Sequence, residues 1–483
     1  MLEAYSHNYL KRFIEKDSYV WPHNLTLSRL IARSLRRKDH SLINLKIKHY
    51  DDCWLGILIP ICLNPRDIIL LVTEKQRNRI LNFELPRLDL EGLTLAIWEG
   101  QKPPKGKKLW LLNYKDFFNA YRNGYLGSRQ IVIPEAELFS LRMRDSMAIK
   151  VTSHDWNALT RAYPFESLPL IELHDDWTRK FFSQVTCLNG NVRISSQDIS
   201  SFRTLLSCLD EIPFEWSQIL DAINEGWASW AELQHKTLDW SWHLQPLEPI
   251  ITLKNIFQES PFVMLLGSSP NDLLLEQFNS FVGSFSVNVN VGSFMDLDHE
   301  PIDLFVPLRQ PLPNTEYFAE YLLDQSRRLI LGRSGVTILL IDDEQLLKKL
   351  TTELAAEFGM RVSFQSLFTE SNGVICCSSL WWLYHQEKLP VPEQIIIAIL
   401  PFSSLESPLT AARVEAYKLK GYDWFRKLLL PEVLTLLPKL VFPLRKSQGR
   451  VAILDGRVRS RSWGGKFFTV LEPWNPLDRL LPH

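Results

Sequence analysis

Short apolar runs rich in Val, Ile and Leu alternate, in the first part of the chain, with longer segments of mixed polarity. A helical spacing of apolar positions over residues 25–37, behind Pro22-His23-Asn24, predicts an amphipathic helix near the start. Beyond it, runs that are short enough for strands are separated by helix-length segments, which predicts a parallel sheet covered by helices. These predicted strands fall at 67–73, 93–98, 108–112, 130–133 and 148–152.

The strand pattern fades between residues 178 and 249, where tryptophans accumulate. We expect a helical insertion here, with these indoles largely buried. The spacing of three between Trp227 and Trp230 fits a packed helical core, and it also fits a platform on which bases stack. Both interpretations stay open at this point. The tryptophans of the segment are Trp216, Trp227, Trp230, Trp240 and Trp242.

Strand-like runs return in the last part of the chain and predict a second parallel α/β domain. The sequence thus predicts an α/β protein of two parallel-sheet domains with a helical insertion between them. The expected boundaries are 1–177, 178–255 and 256–483. The runs of the second domain lie at 262–266, 336–341, 373–377, 394–399 and 450–454.

Bulk properties agree with a folded, multi-domain protein. The chain has 483 residues, more than one core usually holds, with 46% hydrophobic and 23% charged residues. Its net charge of −1 gives it no overall field for nucleic acid, so any such site must be local. The six cysteines show no paired CxxC spacing, which argues against a disulfide framework or a metal site. With no apolar run of membrane length and no secretory signal at the start, we expect a cytoplasmic protein without a membrane segment.

A series of short motifs in the last 230 or so residues carries a family resemblance. Their order and spacing resemble the second motor domain of the DinG/XPD-type superfamily 2 helicases. Fainter matches in the first part lie at Trp21-Pro22-His23, 55–60 and 131–137. The motifs are 335–341 followed by Asp342-Asp343-Glu344, 373–382, Leu400-Pro401-Phe402, Leu430-Pro431-Glu432-Val433, and 451–458 with 463–468.

The resemblance implies two RecA-like domains that bind and split ATP between them. Such motors need a glycine-rich loop that wraps the phosphates, a lysine and a magnesium-binding hydroxyl. Alignment through residues 55–60 puts Cys53 and Trp54 where the family has its lysine and threonine. The loop before them supplies two carboxylates, which would repel a triphosphate. The predicted remnant of the nucleotide site is Tyr50, Asp51, Asp52, Cys53 and Trp54, and the loop before Cys53 begins at His49.

Further parts of the implied mechanism are altered as well. The magnesium-binding aspartate of the family corresponds to Pro134, whereas the neighbouring glutamate is kept as Glu135. Glu135 is either a vestigial catalytic base or an ordinary carboxylate at a helix start. Of the two arginines that reach the γ-phosphate only Arg445 is kept, since Phe442 replaces the other. The family's Glu, Gly and Asp in the motif that couples domain closure to DNA correspond to Trp382, Leu383 and His385.

Related helicases often hold an iron–sulfur cluster on four cysteines in the first domain. No cysteine lies between Cys62 and Cys187, so we expect no such cluster. We expect no other cofactor, and ATP with magnesium only if the altered motifs still work. In the family's cleft, Glu135 and Arg445 are expected to point toward one seam.

Basic residues cluster in two segments that could contact nucleic acid. One is 102–108, and the other contains Arg457, Arg459, Arg461, Trp463 and Lys466. An aromatic ring among basic residues suits phosphate binding and base stacking, although a merely solvated basic face fits equally well. The expected partner is single-stranded DNA or another nucleic acid, bound weakly, with a protein partner as an additional expectation.

Three functions are compatible with these observations. The first is a pseudo-helicase that binds nucleic acid and has lost most or all ATP hydrolysis. The second is an active ATP-dependent DNA helicase with rewired motifs. The third is a non-catalytic scaffold for protein assembly. Whether the chain is an enzyme therefore stays open at the level of sequence.

Overall fold

The structure is a computed structural model that describes residues 2–16, 21, 23–45, 50–64, 67–183, 190–209, 211–260, 262–268, 278, 285–292 and 301–477. The chain divides into two compact units, residues 1–297 with 406–415, and residues 298–405 with 416–483. Each unit contains a seven-stranded sheet in which every described pairing is parallel. The predicted α/β class with two parallel-sheet domains is confirmed.

The first sheet has the strand order β11-β1-β10-β5-β2-β4-β3. Its central strands are buried along their whole length, because helices cover both faces of the sheet. The predicted strands 67–73, 93–98, 108–112 and 130–133 all belong to it. Its strands are β1 (Ser41–Leu45), β2 (Ile68–Leu71), β3 (Ile97–Trp98), β4 (Leu109–Leu112), β5 (Gln130–Ile133), β10 (Val263–Gly267) and β11 (Val287–Val291).

Helix α2 (Asn24–Arg37) confirms the amphipathic helix predicted at 25–37. It buries Leu27, Ile31 and Leu35 and ends at Lys38 in the left-handed conformation. Helix α3 (Trp54–Leu63) is apolar on all sides and lies in the core. The other helices of this sheet are α1 (Leu2–Lys16), α4 (Glu74–Arg79), α5 (Leu85–Leu90), α6 (Tyr114–Arg122), α7 (Phe139–Met147), α12 (Pro249–Thr252) and α13 (Lys254–Glu259).

The tryptophan-rich segment needs correction, because it is not simply helical. It contributes three strands to a four-stranded antiparallel sheet of order β6-β9-β8-β7. The segment 148–152, predicted in the parallel sheet, supplies the fourth. The elements are β6 (Ile149–Val151), α8 (Ser153–Ala162), α9 (Ser167–Ser183), β7 (Asn191–Arg193), α10 (Ser196–Leu206), α11 (Phe214–Asn224), β8 (Ala228–Gln234) and β9 (Asp239–Gln245).

The segment was predicted to be helical because the spacing of three between Trp227 and Trp230 fits a helix. Its strands instead place apolar residues at every second position. Along β9, Trp240, Trp242 and Leu244 alternate onto the core face and are buried. Trp216 is buried too, whereas Trp227 and Trp230 are only half-buried, so the burial prediction holds for three of the five indoles. Rings of Trp156, Trp177 and their neighbours pack edge to face in this core.

The second sheet has the order β14-β15-β13-β16-β17-β12-β18. Four of the predicted strand runs of the last domain, 336–341, 373–377, 394–399 and 450–454, lie in it. The elements are β12 (Ile302–Phe305), α14 (Phe318–Ile330), β13 (Thr337–Leu340), α15 (Glu344–Phe358), β14 (Val362–Phe364), β15 (Val374–Cys377), α16 (Ser379–His385), β16 (Gln394–Ile397), α17 (Pro408–Leu419), α18 (Leu430–Val441), α19 (Leu444–Ser447), β17 (Arg450–Ile453), α20 (Arg457–Ser460), α21 (Gly465–Leu471) and β18 (Trp474–Pro476).

The fifth predicted run, 262–266, lies elsewhere. It forms β10 in the first sheet, where it pairs with β1 and β5. The strand run that was predicted to open the second domain therefore belongs to the first sheet, and the first unit extends to residue 297. A strand that is inserted between its sequence-distant neighbours leaves no local signal of the sheet to which it belongs. Among the described residues, no helix is both long and apolar enough to cross a bilayer.

Candidate functional site

Four neighbouring strands of the first sheet, β1, β10, β5 and β2, end at the same edge. Because these strands are parallel, the segments that follow them lie side by side at their carboxyl ends. The described residues of these segments include Tyr50–Cys53 after β1, Ser268 after β10, Glu135 after β5 and Thr73 after β2. This edge brings together the predicted remnant of the nucleotide site and Glu135 within one unit.

The segment Tyr50–Cys53 forms a single 3₁₀ turn that runs directly into α3. The Cys53 thiol is completely buried, donates to the Tyr50 carbonyl across 2.9 Å, and has a pKa that burial raises well above its usual value. Trp54 is also completely buried and packs edge to face on Tyr50. A neutral thiol and a core indole therefore occupy the positions aligned with the family's lysine and threonine.

The Asp51 side chain and the Asp52 main chain make local contacts, and Asp51 also lies 3.9 Å from the Lys75 ammonium. The Trp54 indole N–H lies 3.4 Å from Asp51 Oδ1, and the Asp52 carbonyl accepts from Asn24 Nδ2 at 2.7 Å. None of residues 50–54 has a positive φ, so this turn lacks the alternation of right- and left-handed residues that makes an anion-binding cradle. His49, which was predicted as part of the loop, lies outside the described residues.

Glu135 follows β5 in a left-handed conformation, with φ 47° and ψ 48°, which is strained for a residue other than glycine. Its Oε2 accepts from Arg142 at 2.7 Å and from Gln76 Nε2 at 2.8 Å. The Arg142 and Glu135 side chains retain only 15% and 18% of their exposure. Glu135 is thus the acceptor of a nearly buried, charge-neutral pair.

The surroundings complete this network. Burial opposes the charge on Arg142, but Glu135 and the Tyr114 hydroxyl outweigh it and raise the pKa of the guanidinium. The Glu135 N–H donates to the Tyr50 hydroxyl at 3.3 Å, which ties the two loops together. Burial raises the pKa of that hydroxyl well above its usual value, so Tyr50 stays neutral and acts here as an acceptor.

Glu137, two residues further on, is buried and accepts from the Ser268 hydroxyl at 2.9 Å and from the Ser268 N–H at 3.3 Å. The loops after β5 and β10 are thereby joined in the same way as those after β1 and β5. Within the described residues, no group of three or more His, Cys, Asp or Glu side chains is arranged to hold a metal ion.

ATP with magnesium does not fit these residues. The phosphates would meet a turn that carries two carboxylates and no lysine of its own, since the nearby Lys75 is paired with Asp51 at 3.9 Å. Pro134 offers no ligand for the metal. The remaining carboxylate, Glu135, is already neutralised by Arg142. What the arrangement does is to link the segments that follow all four strands through hydrogen bonds of their side chains.

Sequence reasoning did not identify Gln76 and Arg142. Gln76 is the third residue of a capping box that opens α4 behind Thr73, and the Thr-x-x-Gln pattern was available as a signal. Arg142 lies seven residues after Glu135, in the first turn of α7. Whether residues seven apart make contact depends on the conformation of the turn between them, so no local rule would have paired Arg142 with Glu135.

In the second unit, the Arg445 guanidinium donates to the carbonyls of Leu471 at 2.7 Å, Pro473 at 3.0 Å and Glu472 at 3.2 Å. These are the last carbonyl of α21 and the two that follow it, so Arg445 caps this helix end. Burial lowers the pKa of Arg445 to about 10. Glu135 and Arg445 lie in different units, and their common seam stays a prediction.

The motif that couples domain closure to DNA in the family also has structural roles here. Trp382 is completely buried, and its indole N–H donates to the Leu440 carbonyl at 2.8 Å. His385 stacks on Trp381, with ring centroids 4.6 Å apart. Nearby, the half-buried Asp342 accepts from the Ser379 N–H at 2.7 Å and from its hydroxyl, which fixes the start of α16.

The predicted nucleic-acid segment divides into internal and external residues. The Arg457 guanidinium pairs with the fully buried Asp455 at 2.6 Å, and Arg459 donates to the Val306 carbonyl at 2.6 Å. Trp463 lies among Phe402, Phe425 and Phe467. Only Arg461 and Lys466 of the five predicted residues are exposed without such an internal role.

Comparison with known proteins finds curated relatives in two bacteria. No protein-family model matches the chain. The chain is 26% identical, over 274 residues that make up 53% of it, to the ATP-dependent DNA helicase YoaA of Escherichia coli, and the match spans 42% of that protein. A second match, 29% over 110 residues, is to YoaA of Haemophilus influenzae, covering 22% of this chain and 17% of that protein. The chain thus matches less than half the length of these relatives.

Solved structures extend the likeness in fold to almost the whole chain. A structure titled XPD helicase superposes with a TM-score of 0.63 at 9% identity, covering 95% of this chain and all of that one. Xpd4 of S. tokodaii gives 0.57 at 15% identity, covering 90% and 96%. Sequence motifs, curated relatives and fold therefore agree that this chain is a divergent relative of the DinG/XPD-type superfamily 2 helicases.

Proposed function

We propose that the chain is a nucleic-acid-binding pseudo-helicase, with ATP hydrolysis lost or much reduced. The observation that carries this proposal is the nearly buried pair of Glu135 and Arg142 beside the core indole of Trp54. In a working motor these positions must be open to phosphate, metal and water. Here they are filled by side chains that bind one another.

The two changes support each other physically. A lysine at position 53 would place an ammonium group in a fully buried position, which is costly without a partner. A free catalytic carboxylate at position 135 would require Arg142 to leave its hydrogen bonds with Glu135 and Tyr114. Restoring one residue alone therefore conflicts with the packing of the others.

Loss of the arginine contribution agrees with the same proposal. Arg445 makes three hydrogen bonds to the end of α21, which hold its guanidinium within its own unit. To reach a phosphate it would have to give up all three. The proposed setting is the cytoplasm, because the described cysteines, including the buried Cys376 and Cys377, are free thiols.

Steady-state ATP hydrolysis, measured with and without single-stranded DNA, tests the proposal. We expect no turnover above background, against roughly 1 to 100 per second for ordinary phosphoryl-transfer enzymes. Glu135→Gln is the control, since it changes any hydrolysis by this chain but not that of a contaminant. Turnover in the ordinary range that Glu135→Gln abolishes would establish the active helicase instead.

Nucleic-acid binding is tested separately by fluorescence anisotropy with a labelled single-stranded oligonucleotide. We expect weak binding that falls steeply as salt is raised, because neutralised phosphates release counterions. No binding at low salt, together with a stoichiometric protein partner on purification, would favour the third function, a scaffold for protein assembly.

A further inference from the structure

A loop follows the edge strand β3, and the tryptophans of β3 and β4 hold it in place. Trp98 ends β3, and its indole N–H donates to the Lys102 carbonyl at 2.7 Å. Trp110, its neighbour on β4, donates to the Gly100 carbonyl at 2.9 Å. Two indole N–H groups therefore fix the first half of the segment 98–108, which we call the Trp98 loop.

Two glycines set the remaining path of the Trp98 loop. A Cβ at Gly100 would lie 2.5 Å from the Trp98 ring, so the backbone there rests directly on the indole. Gly106 has φ +82°, a conformation that other residues rarely adopt. Pro104 between them is buried. The loop is thus shaped before any ligand arrives, and binding would not have to order it.

The Trp98 loop carries an uncompensated positive charge. Lys102, Lys105 and Lys107 are exposed and Lys108 is half-buried. Within the part of the chain that the structure describes, none of the four has a carboxylate within ion-pair distance. The one acidic residue between positions 92 and 115, Glu99, is bound by Arg77 at 2.5 and 3.0 Å.

An aromatic surface lies beside these charges. Trp98 is 37% exposed, and since its N–H is used within the loop, the part in contact with solvent is carbon. The Lys108 ammonium lies 5.4 Å from the centroid of this ring. A flat carbon surface with cations around it matches a base and the phosphates on either side of it.

We infer that the Trp98 loop binds single-stranded nucleic acid, with phosphates on Lys102, Lys105 and Lys107 and a base against Trp98. The inference rests on the proposed nucleic-acid binding and locates it in the first unit, whereas the Arg457–Lys466 segment belongs to the second. Single strands are favoured over duplexes because their base faces are free to stack. An acidic peptide or a lipid surface would use the lysines without needing the ring.

The test measures binding of a labelled single-stranded oligonucleotide to the full chain over a range of salt concentrations. In Lys102→Gln/Lys105→Gln/Lys107→Gln, affinity at low salt should fall on the order of tenfold or more. The slope of log affinity against log salt should fall by about 2, at about 0.7 per lost phosphate contact. The matched control removes three exposed lysines elsewhere, Lys236→Gln/Lys254→Gln/Lys388→Gln, and should keep the wild-type slope.

A second measurement examines stacking at the ring itself. An oligonucleotide containing 5-iodouracil, irradiated in the complex, should crosslink to Trp98, as identified by peptide mapping. Crosslinking should disappear in Trp98→Leu. The triple glutamine variant should unfold at the wild-type temperature, which would show that its loss of binding is not a loss of folding.

The outcomes separate the two proposals. If both triple variants bind the oligonucleotide as the wild type does, and the crosslinks lie outside the Trp98 loop, this inference is overturned. The proposed nucleic-acid binding is then unaffected. Absence of any binding by the wild type overturns both. Equal competition by polyglutamate, or tighter binding to anionic vesicles than to the oligonucleotide, assigns the loop to another polyanion and overturns the inference alone.

Discussion

The Arg142 guanidinium lies 2.7 Å from the Glu135 carboxylate, and water reaches little of either side chain. The resemblance aligns Glu135 with the glutamate that acts on water in DinG/XPD-type motors, and in this structure the Glu135 side chain pairs with Arg142. The pair also ends a hydrogen-bonded path from α4 through Gln76 to α7. It therefore joins the segments that follow β2 and β5.

Replacing Arg142 should destabilise the first unit. Arg142→Leu leaves the Glu135 charge without its partner, and we expect the free energy of unfolding to fall by about 3 kcal/mol. Glu135→Leu/Arg142→Leu should lose less than the sum of the two single changes, because no unpaired charge remains. Urea unfolding of the three variants measures the coupling. Additive losses would show that the pair contributes no mutual stabilisation.

Trp54 should prove to be a structural residue. Trp54→Ala removes a completely buried indole, which costs about 3 to 5 kcal/mol in other cores. Phe165→Ala, at a phenylalanine that is 96% exposed, is the matched control and should change the free energy of unfolding little. The double change Cys53→Lys/Trp54→Thr should lower the unfolding temperature and restore no ATP hydrolysis. Recovery of hydrolysis would contradict the conclusion that the remaining residues of this site do not fit ATP with magnesium.

Arg457 and Arg461 should behave differently although both belong to the predicted nucleic-acid segment. Arg457→Met leaves the fully buried Asp455 without its cation, and we expect a loss of about 3 kcal/mol. Arg461→Met, at an exposed position, should change stability by less than about 0.5 kcal/mol. Thermal and urea unfolding compare the two. Equally small losses of stability in the two variants would mean that the Leu400 N–H and other donors satisfy the Asp455 carboxylate without Arg457.

The first sheet should lose stability as the pH falls below 6.5, in part through His40. Burial lowers the pKa of His40 from its ordinary value of 6.5, and its Nδ1 accepts from the Val263 N–H at 3.2 Å. The unfolded chain therefore binds the proton more readily, so stability falls as the pH drops through the unfolded value. His40→Asn keeps an acceptor and removes the titration. Its urea midpoint should fall less between pH 7.5 and 5.5 than that of the wild type.

Two adjacent glycines provide a sharp test of packing in the second unit. A Cβ at Gly464 would lie 1.8 Å from the Val458 carbonyl oxygen, whereas one at Gly465 would meet nothing within 4 Å. Gly464→Ala should therefore lower stability by about 3 kcal/mol or more. Gly465→Ala, inside α21, should be neutral or raise it by up to about 1 kcal/mol. Similar unfolding temperatures for both variants would contradict this placement of the backbone.

The sequence predicted the architecture well where local patterns decide it. The strands at 130–133 and 394–399 and the helix at 25–37 needed only periodicity and a start signal. It failed where pairing is non-local, as for β1 and β10, and where tryptophans at β8 and β9 suggested a helix. At the site, the motif alignment indicated that Cys53, Trp54 and Pro134 are substitutions. It could not indicate Arg142, because the contact depends on the strained turn at Glu135.

The position of β1 has a consequence for the order in which the chain acquires structure during synthesis. In the described sheet β1 is hydrogen-bonded to β10 and β11, which are encoded more than 200 residues later. While the ribosome translates the antiparallel insertion, residues 41–45 are an apolar segment with two unsatisfied edges. A nascent chain halted before residue 263 would keep that segment exposed to aggregation or to chaperones. Resistance of the first sheet to protease, or to an applied force, should therefore arise late in translation, after the insertion has emerged from the exit tunnel.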